Sequence, residues 1–204
     1  MTLRSLVLAV ALTVAVGCGD DEGPGATTTP PELTTATTST TSTTSSTTST
    51  TGVQLGQTCT SADGGYAVDY PAGWSTNEGD VTEPCRFFHP EPFEVPQATE
   101  VFGLAVTIGV EPVPFERVAA PDGMVEEELS REETTVAGRP AVVVETESTG
   151  EGLLPEGVRS YRYAVDLDGR TLVAVTRDVE GLDYGRNQDV LDAMMESLEV
   201  VAGS

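Results

Sequence analysis

Four residues of this 204-residue chain carry side chains that can do more than a surface carboxylate or hydroxyl: Cys18, Cys59, Cys85 and the single histidine, His89. Cys18 follows Leu6 to Val16, a run that is apolar apart from Thr13, with Arg4 ahead of it and the small residues Ala15 and Gly17 close before it. Small side chains there let a peptidase reach the backbone, and the thiol is then the acceptor for a diacylglyceryl group. The run has the length of an export signal and is too short to span a bilayer. Residues 1–17 are therefore expected to be a lipoprotein signal peptide, and Cys18 a lipidated N-terminus carrying palmitate-type acyl chains. An ordinary cleavable signal with a chance Cys is the alternative. The tether-like chain that follows favours lipidation.

With Cys18 given to lipid, Cys59 and Cys85 are left as a pair. In an oxidising, extracytoplasmic setting two such residues form a disulfide or stay as two buried thiols, and the setting favours the disulfide. His89 sits in Phe87-Phe88-His89-Pro90. It reads as a strand-end imidazole hydrogen-bonded locally rather than as a general base or metal ligand. A Ser-His-Asp site needs a nucleophile presented on a strained turn, and no Gly-x-Ser-x-Gly segment occurs. A zinc site asks for more His or Cys than remain. Asp166-Leu167-Asp168-Gly169 opens like a calcium loop, but a strand follows it, so a hairpin turn is expected. Glu126-Glu127-Glu128 and Glu132-Glu133 read as solvated charge runs. No catalytic residue, metal ligand or cofactor is assigned, and no glycine-rich phosphate loop is found.

The elements that must position these residues begin after a linker. Residues 18–52 hold the lipidated Cys and a Thr/Ser-rich tract with Pro30 and Pro31. This tract has no apolar periodicity, is expected to be disordered, and is read as a flexible spacer; O-glycosylation of it is a separate hypothesis, from its likeness to Thr/Ser-rich glycosylated stalks. Residues 53–204 form one domain of ordinary size. The chain has no lysine, and its formal net charge is −23. Removing Arg4 with the signal leaves nine arginines against 33 carboxylates, or −24. Such a chain repels nucleic acid and anionic headgroups, so nucleic-acid binding is excluded as a reading.

Within 53–204 the pattern is mostly strand. Tyr66, Val68 and Tyr70 alternate with smaller or polar residues until Pro71, and Cys85–His89 is a short aromatic strand ending at Pro90. A loop spans 91–100. Phe102, Leu104, Val106, Ile108 and Val110 then alternate as one large-residue face. Phe115–Ala119 and Met124–Leu129 suggest short helical pieces, interrupted by Pro121 and Gly123. Two hairpins follow: 133–137 and 141–147 about Gly138-Arg139, then 161–167 and 171–177 about Asp168-Gly169. Asp-Gly suits a type I′ turn, which needs positive φ at both central residues. Val190, Leu191, Met194, Met195 and Leu198 form the apolar stripe of a closing helix from about 185 to 200. Local hairpins plus a terminal helix define an α+β fold with an antiparallel β-sheet and helices packed on it.

Tyr66-Ala67-Val68-Asp69-Tyr70-Pro71-Ala72-Gly73-Trp74 resembles the opening of PsbP-like domains, a short strand ending in Tyr-Pro-x-Gly-Trp. The long strand, the Val-x-Gly-x-Pro hairpin at Val136–Pro140, the tyrosine-rich strand and the helix ending in Ser197-Leu198 agree in order, so the resemblance covers roughly residues 66–201. It implies an α/β/α sandwich with Trp74 packed under the sheet. It also implies kinship with photosystem extrinsic subunits, a Ran-binding import factor and LpqN-type envelope lipoproteins, which are chiefly binding or assembly proteins. It carries over no binding residue. The expected function is that of a lipid-anchored, non-catalytic binding or assembly module on the extracytoplasmic face of the cell membrane, with an envelope protein or lipid as partner. The alternatives are a carrier holding a lipid in a sheet–helix cleft and, last, a hydrolase built on His89.

Overall fold

The computed structural model describes residues 52–79, 82–95, 103–120 and 123–201. The signal segment, Cys18, the tether through residue 51 and Phe102 lie outside the described residues. In chain order the elements are β1 (Leu55–Ser61), β2 (Tyr66–Pro71), β3 (Ser75–Thr76), β4 (Phe87–His89), β5 (Val106–Glu111) and α1 (Phe115–Ala119). They continue with β6 (Glu126–Val136), β7 (Arg139–Ser148), β8 (Arg159–Asp166), β9 (Thr171–Arg177), α2 (Tyr184–Glu196) and β10 (Glu199–Val200). Among the described residues the strands form two sheets, β1-β2-β10 and β3-β4-β5-β9-β8-β7-β6. Every pairing is antiparallel.

Strand alternation explains how the larger sheet is covered on both faces. On β7 and β8, Ala141, Tyr163 and Val165 point into the main core, which also holds Tyr66, Val68, Phe88, Ile108, Leu172, Leu191 and Met194. Their neighbours Val142, Val144 and Ala164 point the other way and pack with Phe115, Val118 and Ala119 of α1. One side-chain period of two thus serves two apolar clusters. Arg131 fastens the small helix by donating from Nη2 to the Ala119 carbonyl at 2.6 Å.

Several elements differ from the sequence expectation, each for a local reason. β1 carried no clear apolar alternation; it forms because β2 pairs with it, Cys59 opposite Val68. The strand expected from Phe102 starts at Val106, because the Ala105 N–H is taken by His89 Nδ1 at 3.3 Å rather than by a strand neighbour. Met124–Leu129 is not helical: β6 begins at Glu126 and pairs with β7 out to Ser148. The β6–β7 turn is Ala137-Gly138, with φ of 52° and 72°, rather than Gly138-Arg139. The last helix stops at Glu196. The Ser197 hydroxyl donates to the Met194 carbonyl at 2.8 Å and accepts the Asp69 N–H at 3.0 Å, which turns the chain into β10 alongside β2. No helix among the described residues is long and apolar enough to cross a membrane.

Candidate functional site

Cys59 and Cys85 are joined in a disulfide, Cα–Cα 5.7 Å, 26 residues apart in sequence. It ties β1 to the segment just before β4, and so links the two sheets. Cys85 is fully buried, and the Tyr66 hydroxyl donates to its carbonyl at 2.9 Å. Burial pushes the Tyr66 hydroxyl well above the ordinary tyrosine range, so it stays a neutral donor.

His89 and Trp74, each the sole residue of its type in the chain, meet at one cleft of about 220 Å³. The way they meet follows from the backbone. Trp74 N–H closes the Pro71-Ala72-Gly73 turn on the Pro71 carbonyl at 2.9 Å, which sends the next residues into β3. β3 pairs Ser75 with His89 at the end of β4. The His89 ring accepts the Ala105 N–H at Nδ1 at 3.3 Å and meets the Phe93 ring edge-on at 6.3 Å between centroids. These are local contacts, as expected for a strand-end histidine.

The opposite wall is the start of α2. Gly181, at φ 89°, makes the turn that brings the chain in, and the Asp183 side chain caps the helix by accepting the Arg186 N–H at 3.2 Å. The exposed Arg186 and the buried Asn187 follow on the first turn, and both line the cleft with Glu91 and Pro90. Asn187 is 3% exposed, and its amide nitrogen has no hydrogen-bond partner among the described residues.

A second polar group lies deeper. The Tyr161 and Tyr163 hydroxyls, two apart on β8, both donate to Asp192 Oδ1 of α2, at 2.9 and 2.8 Å. Burial, with the Asp192 charge adding to it, holds both hydroxyls far above the ordinary tyrosine range. They are neutral clamps between sheet and helix. Asp166 and Asp168 are used locally: Asp166 Oδ1 accepts the Asp168 N–H at 3.0 Å, and Asp168 Oδ2 accepts from Arg139 Nη1 at 2.7 Å. The hairpin reading of that segment stands. The Glu126–Glu128 and Glu132-Glu133 runs lie along β6, the outer strand of the larger sheet, largely exposed. Trp74, Arg186, Asn187 and Asp192 were not marked by sequence as site residues. Only the uniqueness of Trp74 and His89 hinted at them.

No protein-family model matches the chain, and no curated protein matches it in sequence. Among solved structures it is similar to the solution structure of cyanobacterial PsbP (CyanoP) from Synechocystis sp. PCC 6803. That likeness has 13% identity and a TM-score of 0.43, over 73% of this chain and 94% of that one. It is also similar to a crystal structure from Bacteroides thetaiotaomicron VPI-5482, with 11% identity and a TM-score of 0.40 over 73% of this chain. There the chain spans about half, 50%, of its relative.

Proposed function

We propose that this chain is an LpqN-type envelope lipoprotein, held to the extracytoplasmic face of the cell membrane through lipid on Cys18. In this reading its PsbP-like domain, an α/β/α sandwich, is a non-catalytic binding module. The observation that carries the binding role is the cleft between Trp74 and the first turn of α2, where the unpaired Asn187 amide stands beside Arg186, Glu91 and His89. His89 is held there by a backbone N–H, which orients the ring. The Tyr-Pro-x-Gly-Trp segment supports the PsbP-like reading: its strand, turn and buried tryptophan occur in the expected order. A tether on Cys18 would raise the local concentration of the domain near membrane partners.

The test uses the full chain in its native cell. Cys18→Ser is expected to release the protein from the membrane fraction, and the mature mass is expected to include the acyl chains. A photoactivatable residue at Arg186 is expected to give one reproducible adduct that the same residue at Glu132 on β6 does not give. Retained membrane association after Cys18→Ser would overturn the anchor. Identical crosslinks from both positions, or none, would overturn the binding role. Lipid co-purifying in native mass spectrometry would replace the binding module with the carrier reading.

A further inference from the structure

We infer that β1 is an interface between copies of this chain: two β1 strands pair antiparallel about a two-fold axis and join two small sheets into one. The comparison of sheet edges carries the inference. An open edge offers unpaired N–H and C=O groups to any strand that reaches it, and proteins blunt such edges with shortness, charge or bulges. Among the described residues the edges are β1, β10, β3 and β6. β3 and β10 are two residues each. β6 is 11 residues long, but it carries Glu126, Glu127, Glu128, Glu132, Glu133 and a bulge. β1 is seven residues long, and no charged residue occurs from Gly52 to Ala62. Its bulge lies at its start, between Leu55 and Gln57, so Gln57–Ser61 is regular. β2 pairs with one side of β1, and among the described residues no strand takes the other. Gly56, Gln57, Thr58 and Thr60 are exposed there.

Charge selects the occupant. Two copies of so acidic a chain repel where carboxylates face each other, as they would at β6 or at Glu199 of β10. At β1 they meet without one. Asp69, opposite Thr58 on β2, already accepts the Thr58 hydroxyl at 2.5 Å. A partner rich in Lys or Arg would be drawn to the glutamates of β6 instead. The regular stretch is also self-complementary. Centred on Cys59, it sets Thr58 of each copy opposite Thr60 of the other, and such Thr pairs favour strand association. On the inner face Val53, Leu55 and Cys59 are only partly buried against the main core, and a second copy continues that apolar layer across the axis. So short a pairing buries less than the roughly 1,000 Å² of a stable interface, so it needs copies held at high local concentration. The Cys18 anchor supplies this, and the inference rests on that part of the proposed function. The two Leu55 residues would stand about 27 Å apart. Chain from 18 to 51 reaches up to about 110 Å, so both anchors reach one membrane.

The test expresses two differently tagged copies of the full chain together in the native cell, each with a photoactivatable residue at Thr58. The same probe at Glu132 on β6 is the control. An adduct carrying both tags is expected from Thr58 and not from Glu132. Thr60→Glu, added to both copies, brings two carboxylates diagonally across the axis and is expected to lower that adduct about tenfold or more. Thr60→Gln, of the same size without the charge, is expected to leave it. Thr60 is exposed, so both variants should keep the parent Tm, which makes the loss one of pairing rather than of folding. Equal two-tag adducts from Thr58 and Glu132 overturn the interface, because crowding alone would give them. A Thr58 adduct only with some other protein overturns the second copy as occupant. An adduct undiminished by Thr60→Glu overturns the pairing. No two-tag adduct while the chain stays in the membrane fraction overturns the pairing and leaves the anchor; no adduct with the chain in the soluble fraction overturns both.

Discussion

The two hairpins of the larger sheet have the same turn geometry and opposite surroundings. β8–β9 is central, turns through Asp168-Gly169 with φ of 56° and 93°, and has apolar clusters on both faces. β6–β7 ends the sheet, turns through Ala137-Gly138, and its outer strand is exposed along nearly its whole length. The central hairpin is specified by burial. The outer one is specified by pairing and kept soluble by charge: Glu126, Glu127, Glu128, Glu132 and Glu133 line an edge that would otherwise offer unpaired backbone to another chain. A bulge between Glu128 and Ser130 leaves Leu129 as the extra residue and bends that edge further out of register. Position in the sheet, more than turn type, decides what each hairpin contributes.

The largest expected break in this contrast is in the core. Leu172 on β9 is fully buried, and Leu172→Ala should lower unfolding stability by about 3–5 kcal/mol, from lost transfer energy plus the cavity left behind. Glu132→Ala on β6 should change it by less than about 0.5 kcal/mol. Urea denaturation of both variants checks the pair. Comparable losses would mean that the outer strand carries core weight its exposure does not suggest.

Next in size is the clamp that joins the central hairpin to α2. Asp192→Ala leaves the Tyr161 and Tyr163 hydroxyls without their acceptor, at an expected loss of about 2 kcal/mol. The clamp also sets a pH dependence. Folding raises both hydroxyl pKa values, so their contribution is fully present below the ordinary tyrosine value of about 10. Above about pH 10 the unfolded chain releases protons that the folded chain retains, and stability falls as pH rises. Tm measured from about pH 8 to about pH 11 should decline at the alkaline end, and less steeply in a Tyr161→Phe/Tyr163→Phe variant. Equal slopes would show that the burial of these hydroxyls is not what couples them to pH.

What could be read from sequence divides along the same boundary. Asp168-Gly169 between alternating apolar runs announced the central hairpin to the residue, because turn chemistry and side-chain period agreed there. The outer hairpin was displaced by one residue at its turn, since alanine does not advertise positive φ. Its first strand was cut short, since Glu-rich sequence has no apolar period to follow and Met124–Leu129 has the composition of a helix. The Cys59–Cys85 bridge could be reasoned from redox setting and cysteine count. The cleft could not be reasoned at all: residues 74, 89 and 187 come together only after both sheets and α2 are in place, and a lone asparagine in a helix shows nothing of whether its amide finds a partner.

The turns themselves allow the contrast to be inverted. Ala137 holds a left-handed conformation that opposes a Cβ by about 1–2 kcal/mol. Ala137→Gly removes that strain but adds freedom to the unfolded chain worth about 0.4–1 kcal/mol. The net expectation is a gain of about 0.5–1 kcal/mol. At Gly169, φ is 93° and nothing lies within 4 Å of where a Cβ would sit, so Gly169→Ala adds backbone strain without a clash and should lose about 1 kcal/mol. Opposite signs in the two turns, read by thermal unfolding, are the expected result; equal signs would mean that the two are not the same turn in solution.

The smallest expected effect tests whether the hairpins are coupled. Arg139 begins β7 and Asp168 sits in the β8–β9 turn, and their side chains meet at 2.7 Å. The contact looks like a link between the outer and central hairpins, yet the Asp168 side chain is 80% exposed. In that much water the Coulomb attraction is screened, and ordering two side chains offsets most of what is left. Asp168→Asn is the informative change, because asparagine tolerates the positive φ of the turn while the charge is removed. It should shift stability by less than about 0.5 kcal/mol, and the shift should vanish as salt approaches about 1 M. A salt-insensitive loss well above that would make the pair a true coupling between the hairpins, and would move the outer one from a charged border toward a working part of the core.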